Sequence, residues 1–161
     1  HGLEQALRHA LQVRFDQEYA EFVSRTRLNE LRPGAQVIFS LPGQYSKLIN
    51  HISVHRWYLG EEWHRDVPWD EAVGRWYDDV YMPLVEIVRE QKILAEFPGR
   101  TEADLYLYIM EHLYFLREAW NNEVSLQEAA SHFAEEFSQR PLRRLINVIR
   151  SAARTVADGF M

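Results

Sequence analysis

The sequence predicts an all-α fold: a single bundle-like helical domain of about six helices, with one short extended segment near residues 36–41. Three observations predict it. Apolar residues recur at steps of three and four through most of the chain, the spacing of a buried helix face. Helix-start signals punctuate these stretches, either Pro before the first turn or Ser/Thr with an acid three residues on. A single segment, AQVIFSLPG, has the β-forming residues and turn-forming flanks of a strand.

The first helix carries Leu3, Leu7, Leu11, Phe15, Tyr19 and Phe22 on one face and is expected to end near 25–32, before Pro33-Gly34. Val37, Ile38 and Phe39 follow as the strand candidate. One strand cannot make a sheet, so it pairs with another subunit, pairs with a neighbouring domain, or is simply extended. A second helix runs from about Gln44 to Glu62 on Tyr45, Leu48, Ile49, Ile52 and Leu59. The third begins at Pro68, with Asp70 and Glu71 suited to the positive end of its dipole. It continues to about Phe97, and Pro83 inside it should kink or split it. The fourth starts at Thr101, with Asp104 three residues on, and runs to about Trp120. The fifth opens on the Ser125/Glu128 capping box. The sixth starts near Pro141 and turns Leu142, Leu145, Ile146 and Ile149 inward.

At 161 residues the chain is long enough to bury one core without staples. Cysteine is absent, which excludes disulfides, thiolate metal sites and cysteine nucleophiles. No apolar run approaches the roughly 20 residues of a membrane helix, and no secretory pattern opens the chain. Together these point to a cytoplasmic protein that does not engage a membrane. His1-Gly2 in place of an initiator Met points to a domain excised from a longer chain.

The net charge of −6 argues against a uniformly nucleic-acid-binding surface, but it is unevenly spread. Residues 140–161 hold Arg140, Arg143, Arg144, Arg150 and Arg154 against Asp158 alone, a net +4 that leaves −10 for residues 1–139. These arginines recur at helical spacing opposite the apolar positions. Such a stripe would contact phosphates or an acidic partner, or would form internal salt bridges.

The densest chemistry lies in His51–Tyr81, which holds four of the five tryptophans and three of the seven histidines. His51 and His55 are four apart on one helix face, the spacing at which two imidazoles bind one metal. With Arg56, Glu62 and His112 they form a candidate ligand or metal pocket; the residues do not identify a metal or cofactor. Neither the zincin nor the di-iron ligand pattern is present, so paired histidines that hydrogen-bond or face water are the simpler reading. The tryptophans are expected to be mostly core, with Arg56, Arg65 and Arg75 placed to stack on them. The Ser40–Lys47 turn enters a helix where backbone N–H groups would hold a phosphate, but it lacks P-loop spacing. Asp70, Glu71, Asp78, Asp79, Glu102 and Asp104 read as helix-dipole partners or solvated acids rather than acid–base catalysts. No catalytic residue is assigned.

The strings LPGQYSKLINHISVHRWYLGEE, DVPWDEAVGRWYDDVYMPLVEIVRE and FPGRTEADLYLYIMEH, spanning roughly residues 28–135 as a set, resemble an uncharacterised family of bacterial domains of unknown function. Those domains lie C-terminal to ParB-like or lipopolysaccharide-kinase-like segments. The resemblance rests on His55-Arg56-Trp57-Tyr58-Leu59, the following acids Glu61 and Glu62, Asp66-Val67 and Glu71-Ala72-Val73. It implies no activity; a ParB-like neighbour implies work near DNA.

The expected function is therefore a non-catalytic accessory module of a larger ParB-like cytoplasmic protein. It would act by self-association as a homodimer, or by docking a protein partner or neighbouring domain, with nucleic acid as a further contact. The alternative is a small-molecule or metal-binding domain, hydrolytic in one version, centred on His51–Tyr81.

Overall fold

The first helix, α1 (Gly2–Thr26), is apolar enough along one face to pack, yet only its C-terminal half does so. In the computed structural model, which describes residues 1–138 and residue 154, residues 2–14 of this helix are all exposed. Phe22 and Thr26 are buried. The Thr26 hydroxyl donates to the Phe22 carbonyl at 2.8 Å and accepts from the Leu28 amide at 3.3 Å. Arg27 takes a left-handed conformation (φ 54°) that ends α1 and starts the one-turn helix α2 (Leu28–Leu31).

The described residues form two compact units: residues 1–83 with 101–104, and residues 84–100 with those from 105 onward. The first unit contains α1, α2, α3 (Tyr45–Trp63) and α4 (Trp69–Trp76). The segment expected near 36–41 is extended, but it is not a β-strand. Ala35, Val37 and Phe39 are buried while Gln36 and Ile38 are exposed, the period-two alternation of a strand. Side chains take the place of a sheet partner: the Tyr45 hydroxyl donates to the Val37 carbonyl at 2.8 Å, and the Ser40 amide donates to the Asp104 carboxylate at 3.1 Å. Backbone polar groups so satisfied need no second strand. Tyr45 packs on Phe22 and Phe39, each with ring centroids 4.9 Å away.

α3 buries Tyr45, Leu48, Ile52 and Leu59, the apolar positions legible in the sequence apart from half-buried Ile49. It ends at His64 in the left-handed region. Pro68 precedes α4, whose first-turn acids are spoken for: Asp70 pairs with Arg27 at 2.8 Å and Glu71 with Arg65 at 2.8 Å. Pro83 does not break the helix that follows. A π-helical turn, Tyr77–Tyr81, precedes α5 (Met82–Glu90), and the Met82 amide bonds to the Tyr77 carbonyl five residues back. Widening the turn accommodates a ring that would otherwise crowd the preceding carbonyl.

The second unit contains the rest of α5, a 3₁₀ turn (Ile93–Glu96), α6 (Glu102–Trp120, from Leu105 onward) and α7 (Leu126–Phe137). Its core includes Leu84, Val88, Ile93, Leu105, Ile109, Leu113, Ala130 and Ala134. Both sequence-read caps are present. Thr101 and Asp104 exchange backbone and side-chain hydrogen bonds at 2.8 and 3.2 Å, as do Ser125 and Glu128 at 3.1 and 3.4 Å. Arg117 fastens the loop before α7 by donating to the Val124 carbonyl at 3.1 Å.

The all-α class holds throughout: among the described residues there are helices and no strand. None of those helices is long and apolar enough to cross a membrane. The expected sixth helix lies outside the described residues, as do Arg140, Arg143, Arg144 and Arg150; Arg154 is helical and exposed.

Candidate functional site

α3 and α4 place the residues of the His51–Tyr81 segment. His51 and His55 lie one turn apart on α3 and both are half-buried. The Nε2 of His55 is buried and has no hydrogen-bond partner. Burial lowers the His55 pKa below the usual histidine range, against a smaller upward pull from Asp79 and Glu62. Arg56 is structural: its Nε donates to the Val67 carbonyl at 2.6 Å and ties the loop after α3 back onto the helix. Glu62 is exposed at the end of α3. His112 belongs to the second unit, on α6, and finds its partners there.

The tryptophans divide by environment. Trp76 is buried and Trp63 half-buried, with the Arg65 and Arg75 guanidinium groups 4.9 and 5.5 Å from the Trp63 ring centroid. The Trp69 indole donates to the Arg25 carbonyl at 2.7 Å, closing the end of α1. Trp57 and Tyr58 depart from the core expectation, being 60% and 61% exposed and packed edge-on against each other. Beside them lies a wide, open cleft of about 790 Å³, lined by Arg56, Trp57, Gly60, His64, Arg65 and Asp66. Both of its arginines are engaged internally, Arg56 with the Val67 carbonyl and Arg65 with Glu71.

The turn into α3 is occupied by the protein's own acid. The Gly43 amide donates to Glu18 at 2.9 Å, so a carboxylate stands where the phosphate reading placed an anion. The acids proposed for dipole and surface roles behave that way. Arg32 grips Asp78 through two hydrogen bonds at 2.8 and 2.6 Å and, through them, holds its pKa low. Arg65 does the same for Glu71.

A denser constellation lies in the second unit. His112 on α6 and His132 on α7 share a hydrogen bond, Nε2 to Nδ1, at 2.8 Å. Glu136, one turn beyond His132, brings Oε2 within 3.4 Å of the same Nδ1. Burial, and secondarily the neighbouring His132, lower the pKa of His112, and Glu136 partly offsets this. Aromatic rings surround the pair. Phe115 stacks on His112 at 6.0 Å, Phe133 and Phe137 meet it edge-on, and Trp120 meets His132 edge-on at 5.4 Å. An open, mostly apolar cleft of about 420 Å³ adjoins His112, lined also by Phe97, Tyr108, Phe115, Phe133 and Phe137.

Of the sequence candidates, His112 alone sits in this cluster; His132 and Glu136 were missed. Their signal was present as a His and a Glu four apart in SHFAEE, a spacing that shares one helix face. What the sequence lacks is the pairing of α6 with α7 that delivers His112 to them.

The low His55 pKa carries a sign. The folded protein resists a proton that the unfolded chain accepts near pH ~6.5, so the contribution to stability is complete above that value and is lost as pH falls from there through the lower folded-state pKa. We expect the thermal midpoint to drop between about pH 7.5 and about pH 5.5 and His55→Gln to flatten that slope. His112 shifts in the same direction and keeps some slope in the variant. A pH profile identical in His55→Gln and the parent would contradict the assignment.

No protein-family model, curated protein or solved structure matches the chain.

Proposed function

We propose that the chain is a non-catalytic interaction module that self-associates through the N-terminal half of α1. The carrying observation is an unpartnered apolar ridge: Leu3 is 87% exposed, Leu7 61% and Leu11 39%, on a helix of 25 residues. Fully burying one such leucine is worth about 1.5–3 kcal/mol. A ridge left in water thus forgoes several kcal/mol that a second copy would recover.

The ridge is also self-complementary. Leu3, Leu7, Leu11 and Phe15 repeat at four-residue steps. An antiparallel crossing at His9 sets Leu7 against Leu11 of the partner subunit and Leu3 against Phe15 of the partner subunit. Two identical patches that pair reciprocally are what a two-fold dimer requires, and ridges at four-residue steps interlock at the commonest helix crossing angle. The resemblance to modules that follow ParB-like segments is consistent with an accessory role near DNA in a larger cytoplasmic protein, but the dimer reading does not rest on it.

Light scattering tests this directly. The protein should run as a dimer at tens of micromolar, and Leu3→Asp/Leu7→Asp should run as a monomer with its helical circular dichroism intact. A parent protein that is monomeric at that concentration sinks the reading.

A further inference from the structure

We propose that His112, His132 and Glu136 form a binding site for a zinc-class divalent metal ion. The site goes beyond the self-association reading and does not depend on it, since it lies on α6 and α7 rather than α1.

His112, His132 and Glu136 each offer one ligand atom, an imidazole nitrogen or a carboxylate oxygen, and these three atoms lie within 4.8 Å of one another. One proton on either imidazole nitrogen satisfies the 2.8 Å contact between the rings and leaves the carboxylate oxygen as an additional acceptor 3.4 Å from His132 Nδ1. A divalent cation accepts a lone pair from all three atoms at once and neutralises the carboxylate. Among the described residues this is the one group of three or more such side chains whose donor atoms converge.

The geometry suits a small ion. Metal–ligand bonds of about 2.0–2.1 Å in a tetrahedral site put donor atoms about 3.4 Å apart. The 3.4 Å separation of His132 and Glu136 already meets that, and the 2.8 Å between the imidazoles needs to open by about half an ångström. His132 and Glu136 project from one face of α7, so their spacing is set by the helix. His112 is only 8% exposed and is wedged between Phe115, Phe133 and Phe137, which holds its ring in place before any ion arrives. Two imidazoles and a carboxylate favour zinc over calcium or magnesium, which prefer all-oxygen sites. Three protein ligands leave a fourth position for water or an exogenous ligand.

The experiment is a titration of the chelator-treated, dialysed full chain with Zn²⁺ by calorimetry and with Co²⁺ by visible absorption. One equivalent should bind, and Co²⁺ should develop the intense d–d bands of a four-coordinate site. His112→Ala and His132→Ala should each weaken binding by at least about 100-fold, beyond the 10–100-fold typical of losing an outer partner. Glu136→Gln lies on an exposed side chain and tests the carboxylate without threatening the fold; it should weaken Zn²⁺ binding at least about tenfold. His51→Ala/His55→Ala should leave the affinity unchanged. No saturable binding, binding that survives Glu136→Gln undiminished, or binding lost in His51→Ala/His55→Ala would each overturn the proposal.

Discussion

Asp104→Ala is expected to destabilise the protein by about 2–4 kcal/mol, although the side chain is small and belongs to no catalytic group. Asp104 is 1% exposed and accepts two backbone hydrogen bonds from different parts of the first unit. The Thr101 amide donates at 2.8 Å and closes the first turn of α6; the Ser40 amide donates at 3.1 Å and anchors the extended segment. Removing the carboxylate costs a helix cap, worth about 1 kcal/mol, and leaves a second amide without its charged acceptor, worth about 1–3 kcal/mol. Asp104→Asn keeps one acceptor oxygen and should lose roughly half as much. Urea unfolding of the three proteins checks this. A shift below about 1 kcal/mol for Asp104→Ala would mean that water replaces both bonds.

The second large effect is expected at Trp76. It is 1% exposed, packs against Tyr81 with ring centroids 5.2 Å apart, and stands at the junction of α4 with the π turn. Trp76→Ala should cost about 3–5 kcal/mol, because the transfer energy of the indole is lost and the cavity cannot fully collapse. Trp57→Ala provides the contrast. That ring is 60% exposed, and its removal should change stability by no more than about 0.5 kcal/mol. Comparable losses for the two variants would show that Trp57 is covered in solution, which would itself reveal a partner on that face of α3.

Trp57 and Trp76 also show how far residue patterns reach. Both sit in the same aromatic-rich segment, and composition alone assigns both to the core. Helical periodicity places Trp76 on the line of Val73 and Val80, but it cannot say whether the ridge of α3 that bears Trp57 has anything to pack against. The same holds for α1. Its apolar line from Leu3 to Phe22 is legible at once, yet among the described residues only its C-terminal half is covered. The lone strand candidate was legible as an extended stretch, though its alternating burial was not. That it needs no sheet depends on Tyr45 and Asp104, which reach it from 8 and 64 residues away.

The candidate site divides in the same way. His51, His55 and Arg56 stood out because they are close in sequence, and Arg56 proved to be a loop fastener. His112 and His132 are 20 residues apart and meet only because α6 and α7 face each other. By itself, then, the sequence determined the all-α class, the helix starts at Thr101 and Ser125, and the apolar lines along α1, α3 and α4. Those features follow from interactions within four residues along the chain. Tertiary structure alone decided which ridges remain bare, how an unpaired extended segment is satisfied, and where imidazoles and a carboxylate converge. These depend on contacts between distant residues, whose partners local periodicity does not encode.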